Sequence, residues 1–293
     1  MRAVGRRLLP LLLAALLAGC AATPAVSDPP APAAADGPAV YETQVRTTQR
    51  DGQTIYGVLY LPQGAGDGEA LPAVIFSHGF GGTHAVGTPY AQALAQAGYV
   101  VYCFDFCGGS PSSQSDGSPL EMSLFTQQAD LEAVIAMVQA LPFVDGDNLF
   151  LMGTSQGGAV SAITGAAHRE AIRGMVLLYP AFVLVENAQA QFAQVGDIPE
   201  TVPLLGMTVG RAYFAPLLDY DIYEAIAAYD RDVLLLHGSA DTLVPLSASQ
   251  RALAVYPSAR LEVLPGAGHG FSGADFQQAV AWTVDYLQAH RIP

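Results

Sequence analysis

The stretch that most constrains this chain is Leu149-Phe-Leu-Met-Gly-Thr-Ser-Gln-Gly-Gly158. A short apolar run with strand character enters the tight turn Gly153-Thr154-Ser155-Gln156-Gly157, and a small-residue run suited to a helix follows. A serine on so sharp a strand-to-helix turn is held in a strained backbone conformation with its hydroxyl exposed, the geometry of the G-x-S-x-G nucleophile elbow. Gly153 and Gly157 remove the Cβ atoms that would collide where strand and helix pass closely. The amide of Gln156 lies at the helix N-terminus and points where a negative oxygen would form. Five-residue patterns recur by chance, and the same letters also fit an ordinary βα turn with a buried serine. The rest of the chain must therefore supply the serine's partners.

Buried strands and helices alternate on both sides of this turn. Tyr41 to Thr48 and Thr54 to Leu61 alternate apolar and polar residues around Arg50-Asp51-Gly52, which predicts a hairpin. Continuous apolar runs at 72–77, 100–104, 148–152, 175–178, 233–236 and 261–264 read as strands buried on both faces. Helical periodicity falls at 89–97, 123–141 and 275–287. Such alternation implies right-handed βαβ units and a mostly parallel sheet, with the opening hairpin as its antiparallel edge.

A serine hydroxyl is a weak nucleophile until a base lies within hydrogen-bond reach and a carboxylate holds that base. On this topology the partners follow in the order Ser, Asp or Glu, His. Of six histidines, His78 and His84 precede the elbow, His168 precedes any acid at a strand end, His237 heads a strand-end turn, and His290 closes the last helix. His269, in the glycine-flanked loop Gly266-Ala-Gly-His-Gly-Phe271, remains as the base. Asp241, a few residues past the strand at 233–236, is the matching acid. The loop His78-Gly79-Phe80-Gly81-Gly82 follows the strand at 72–77 and should give the second oxyanion donor through the Phe80 amide, paired with that of Gln156. His78 is expected to brace that loop, and Asp105 to cap the turn that follows its strand.

The N-terminus reads as a targeting segment. Arg2, Arg6 and Arg7 precede an apolar run from Leu8 to Leu17 that is too short to span a bilayer as a mature helix. Leu17-Ala18-Gly19-Cys20 resembles the lipobox of bacterial lipoproteins, which implies cleavage after residue 19 and lipidation of Cys20. Residues 20–40 are an Ala/Pro-rich tether, and the folded domain is expected over 41–293. Export, with a lipid anchor in the cell envelope as the sole membrane contact, follows as an expectation. Removing residues 1–19 takes away three arginines and no acids, so net charge goes from −14 to −17. All 12 basic residues are arginine; so acidic a chain is a poor nucleic-acid partner. Cys103 and Cys107 would lie roughly 13 Å apart on one straight strand, so two free, mostly buried thiols are expected rather than a disulfide.

One segment breaks the alternation. About fifty residues separate the strand ending near Tyr179 from the one starting at Val233, and a loop that long is usually functional. Residues 183–222 read as a lid insertion over the sheet edge, with Tyr213 and Phe214 as candidate substrate contacts. Alternatively, this is a surface excursion whose aromatics pack on its own underside.

Taken together, residues 41–293 resemble the α/β-hydrolase superfamily. Ser-His-Gly-Phe-Gly-Gly at 77–82, Phe104-Asp105-Phe106 before a Gly/Ser loop, Gly-x-Ser-Gln-Gly-Gly at the elbow and His-Gly-x-x-Asp-x-x-Val-Pro at 237–245 resemble the bacterial cinnamoyl (feruloyl) esterases. The resemblance implies an eight-stranded, mostly parallel sheet flanked by helices, with the lid after the sixth strand. It further implies a serine esterase, without cofactor, acting on hydroxycinnamoyl esters. The lid's few charges and small size point to short-chain esters of small molecules as well, and no metal is expected. Residues 183–215 depart from any aromatic-binding pattern of that group. A serine peptidase of the same fold shares the elbow and acid turn, and a non-catalytic envelope lipoprotein could use the fold as a binding scaffold.

Overall fold

The computed structural model describes residues 41–68 and 70–293. The targeting segment, Cys20 and the tether lie outside the described residues. The chain opens with a hairpin, β1 (Tyr41–Arg50) and β2 (Gln53–Pro62), whose partners run in register from Tyr41–Pro62 to Arg50–Gln53. Its two-residue turn puts Asp51 at φ 50° and Gly52 at φ 81°. Both angles are left-handed, which Asp-Gly tolerates and a right-twisted hairpin needs.

Strands and helices then alternate: β3 (Leu71–Ser77), α1 (Thr88–Gln96), β4 (Val100–Phe104), α2 (Leu124–Gln139), β5 (Val144–Thr154), α3 (Ser155–Ala167) and β6 (Gly174–Leu178). The insertion carries α4 (Val183–Gln191), a small hairpin of β7 (Thr201–Leu204) and β8 (Met207–Gly210), and α5 (Arg211–Phe214). After it come α6 (Ile222–Ile226), β9 (Val233–Gly238), α7 (Leu246–Val255), β10 (Ala259–Leu264) and α8 (Gly273–His290). The main sheet has eight strands in the order β1-β2-β4-β3-β5-β6-β9-β10. The pairs β1/β2 and β2/β4 are antiparallel and all others parallel.

The central strands are apolar throughout because both faces are covered. Ile75, Leu151, Leu177 and Leu235 pack on one face with Leu131 and Val134 of α2, Ile163 of α3 and the insertion. Their neighbours Phe76, Met152, Val176 and Leu236 pack on the other with Leu94 of α1 and Leu287 of α8. Helix α2 starts at a capping box: Ser123 Oγ accepts from the Thr126 amide and Thr126 Oγ1 accepts from the Ser123 amide. Helix α1 has Pro89 in its first turn, where no amide hydrogen is missed.

Helix α7 and the β7/β8 hairpin are not apparent in the sequence. The buried residues of α7 are Ala248, Ser249 and Ala252, too small to write an apolar period. The strands β7 and β8 are only four residues each, too short to show a strand period, although Met207 and Val209 of β8 are buried. Cys103 and Cys107 are free and buried. Burial raises both thiols, Cys107 to about 12, which leaves neither as a thiolate at neutral pH.

Candidate active site

Parallel register carries the ends of β3, β5, β6, β9 and β10 to one edge of the sheet, where α/β folds place their ligands. Ser155 stands directly after β5 at φ 50°, a left-handed angle that a serine adopts only under constraint. The constraint is the packing of its glycines. A Cβ on Gly153 would lie 2.4 Å from the Gly157 carbonyl oxygen, and one on Gly157 would lie 2.2 Å from that of Ser77. The elbow is thus pressed both against its own strand and against the end of β3.

Three side chains meet at this edge. His269 Nε2 is 3.0 Å from Ser155 Oγ, and His269 Nδ1 is 2.7 Å from Asp241 Oδ2. The Asp241 carboxylate is buried, and its Oδ1 accepts from the amides of Leu243 and Val244 at 2.9 Å each. These donors fix the carboxylate's rotamer and leave Oδ2 for the imidazole. His237, on β9, supports the same loop: Nε2 lies 2.9 Å from the Val244 carbonyl oxygen and 3.5 Å from Asp241 Oδ2, and Nδ1 lies 2.8 Å from Ser249 Oγ. Burial lowers its pKa, so it is neutral and donates from Nε2 to the Val244 carbonyl.

The loop after β3 passes over the serine. A Cβ on Gly79 would come within 3.2 Å of Ser155 Cβ, tighter than ordinary contact, so a side chain there would push the loop or the serine by a few tenths of an ångström. Phe80, next in that loop, has an amide with no acceptor among the described residues. The Gln156 amide, in the first turn of α3, has no intrahelical acceptor either. His78 braces the loop as expected: buried and kept neutral by desolvation, it donates from Nδ1 to the Gly79 carbonyl and accepts at Nε2 from the Phe106 amide. Gly81 N–H donates to the Gly109 carbonyl. Asp105 ties the neighbouring turns together, accepting from the amides of His84 and Gln114 and from the His84 ring. Burial works to raise its pKa, but these hydrogen bonds prevail and hold it below the usual carboxylate range.

A cleft of about 230 Å³ opens beside Ser155 and His269. Its walls include Phe80, Val86, Tyr179, Leu205 and Leu243. Tyr213 and Phe214, the lid residues singled out in the sequence, are not among those walls. Both are buried: Phe214 packs on Phe192 within the insertion, and Tyr213 lies between Phe214 and Phe80. The insertion residue that does reach the cleft is Leu205, at the tip of the β7/β8 hairpin with φ 46° and 65% exposure. Tyr179 was also not anticipated. It sits at φ 38° just past β6, with its ring 4.7 Å from that of His269. Its position at a strand end, on the edge that carries the elbow, is the signal that could have found it. The remaining histidines stay away from the serine: His168 pairs with Glu132 and His290 with Asp232. Among the described residues no cluster of ligating side chains could hold a metal ion.

A serine, a buried aspartate and a histidine, following in that order along the chain and meeting on the edge of a mostly parallel eight-stranded sheet, define an α/β-hydrolase. The chain belongs to the family described as serine aminopeptidase, S33, whose model matches residues 68–216. It is 30% identical over 236 residues to an uncharacterized protein of Mycobacterium tuberculosis, covering 78% of this chain and 71% of that one. Monoglyceride lipase of Saccharomyces cerevisiae is 24% identical over 260 residues, covering 73% and 82% respectively. Among solved structures, Est1E from Butyrivibrio proteoclasticus with ferulic acid bound matches with a TM-score of 0.76. That match has 23% identity and covers 84% of this chain and 98% of that one, a likeness of fold.

Proposed function

We propose that the protein is a serine carboxylic-ester hydrolase that acts through an acyl-enzyme on short-chain or hydroxycinnamoyl esters. The observation that carries this reading is the continuous line from Ser155 Oγ through His269 to Asp241, open to a cleft walled by apolar side chains. Ser155 Oγ attacks the ester carbonyl while His269 Nε2 takes its proton, and Asp241 stabilises the imidazolium. The amides of Phe80 and Gln156 receive the oxyanion. Collapse breaks the bond to the alcohol oxygen, which takes the proton from His269. Water, deprotonated by the same imidazole, then releases the acid and restores the serine.

The walls support a small uncharged acyl group. Phe80, Val86, Leu205 and Leu243 offer apolar surface, and the chain's net negative charge disfavours highly anionic substrates. The ferulic acid held by Est1E on the same fold supports the hydroxycinnamoyl member of the class. The family description favours a second reading, cleavage of an N-terminal peptide bond. An aminopeptidase needs an anion for the substrate ammonium, and the described cleft walls carry no Asp or Glu. A panel of p-nitrophenyl acetate, butyrate, octanoate and dodecanoate with methyl ferulate and an aminoacyl p-nitroanilide tests the reading. Butyrate should be cleaved with higher kcat/KM than dodecanoate, and methyl ferulate should be cleaved. Turnover of the anilide alone would replace esterase by aminopeptidase.

Export and lipid anchoring at Cys20 are proposed on the lipobox alone. Cys20→Ser should release active protein from membranes, and a variant that stays membrane-bound would refute the anchor.

A further inference from the structure

The insertion and the reacting edge meet at one phenol. Tyr213 is 3% exposed, and its hydroxyl donates to Gln156 Oε1 over 2.6 Å. Gln156 Nε2 in turn donates to Gln127 Oε1, on α2, over 2.7 Å. The Gln156 and Gln127 side chains are also buried, so each partner is needed to repay the loss of water. The Tyr213 ring stands edge-on to Phe80, with centroids 5.8 Å apart and planes at 78°. Desolvation raises the phenol's pKa, which keeps it a donor throughout the working range. Tyr213 therefore touches both residues whose backbone amides would bind the oxyanion. It reaches one through a buried hydrogen bond and the other through ring packing. The insertion that carries it is itself seated on the body of the fold: a Cβ on Gly210 would lie 2.0 Å from the Leu120 carbonyl oxygen.

We propose that Tyr213 is a positioning residue for the oxyanion hole, setting the Gln156 and Phe80 amides in the arrangement that a tetrahedral oxyanion requires. This rests on the serine-hydrolase reading above. It makes the insertion part of the machinery that lowers the barrier, as well as a wall of the cleft. A substrate too small to reach the Leu205 tip should still depend on Tyr213.

Tyr213→Phe keeps the ring and removes the donor. On p-nitrophenyl acetate kcat should fall about 5–30-fold with KM within about twofold, less than the 10²–10³ expected for losing a whole oxyanion donor. Gln156→Met, which also removes the bond to Gln127, should give at least as large a loss, and adding Tyr213→Phe to it should cost little more, since the bond from Tyr213 is already gone. If Tyr213→Phe does not fold, Gln156→Met carries the test. The rate at which a fluorophosphonate labels Ser155 should fall by the same factor, because the phosphonyl oxygen occupies the same site. A variant with lowered Tm but unchanged kcat and labelling rate would show a structural role only and overturn the proposal. If the wild type labels at Ser155 yet cleaves no ester, the esterase reading fails while the labelling rates still decide the role of Tyr213. No label on Ser155 overturns both.

Discussion

Gly157→Ala tests how closely the elbow is clamped. Its new Cβ would sit 2.2 Å from the Ser77 carbonyl oxygen and 2.3 Å from that of His78, where ordinary contact begins at 3.4 Å. These are backbone atoms of the strand end and of the loop that carries Phe80, so no side chain can swing away. The loop must retreat by about 1 Å, and a displacement of that size at reacting groups costs about 10²-fold in rate. Overpacking a filled site costs about 1–3 kcal/mol of stability. Gly146→Ala is the control, since its Cβ would meet nothing within 4 Å. The assay is kcat on p-nitrophenyl acetate together with the urea midpoint for wild type and both variants. Gly157→Ala should lose activity by a larger factor than its stability loss explains, and Gly146→Ala should match wild type in both. Wild-type kcat and midpoint in Gly157→Ala would refute the close approach of β3 and α3.

Other predictions follow from individual residues. His269→Ala should lose roughly 10⁴ in kcat, whereas His290→Ala should stay near wild type; the reverse pattern would show that the wrong base is assigned. His78 and His237 both have pKa values lowered by burial, so the unfolded chain binds protons first as pH falls through about 6.5. Their contribution to stability is complete above that pH and is lost progressively below it. The urea midpoint should therefore fall from pH 7 to 5, less steeply in His237→Asn, and a flat wild-type profile would count against two neutral buried imidazoles. Leu205→Ser should lower kcat/KM for octanoate more than for acetate, because the hairpin tip adds apolar surface to the cleft wall; equal losses would remove it from the acyl path.

The sequence was most legible where backbone and chemistry coincide. The elbow needs glycines at 153 and 157 for steric reasons, and the acid and base loops follow strands that are apolar throughout, so period, order and chemistry agree. The insertion was less legible. Its aromatics suggested a substrate wall, yet Phe214 turns onto Phe192 within the insertion, and Tyr213 turns toward Gln156 and Phe80, which lie far away in sequence. Such contacts leave no local period. Leu205 was hidden for the opposite reason: an exposed leucine in a short loop looks like surface until the hairpin places it on the wall of the cleft. Helix α7 went unseen because its inward face is built from alanine and serine.

The most direct test is turnover of p-nitrophenyl butyrate by wild type and by Ser155→Ala, with thermal unfolding measured on both. Ser155 is only partly buried, so little packing is lost, and the variant should unfold at the wild-type temperature. The account predicts a fall of roughly 10⁴ or more in kcat, as for removal of any member of such a triad. Retention of activity within about tenfold of wild type, in a folded variant, would contradict the assignment of Ser155 as the nucleophile.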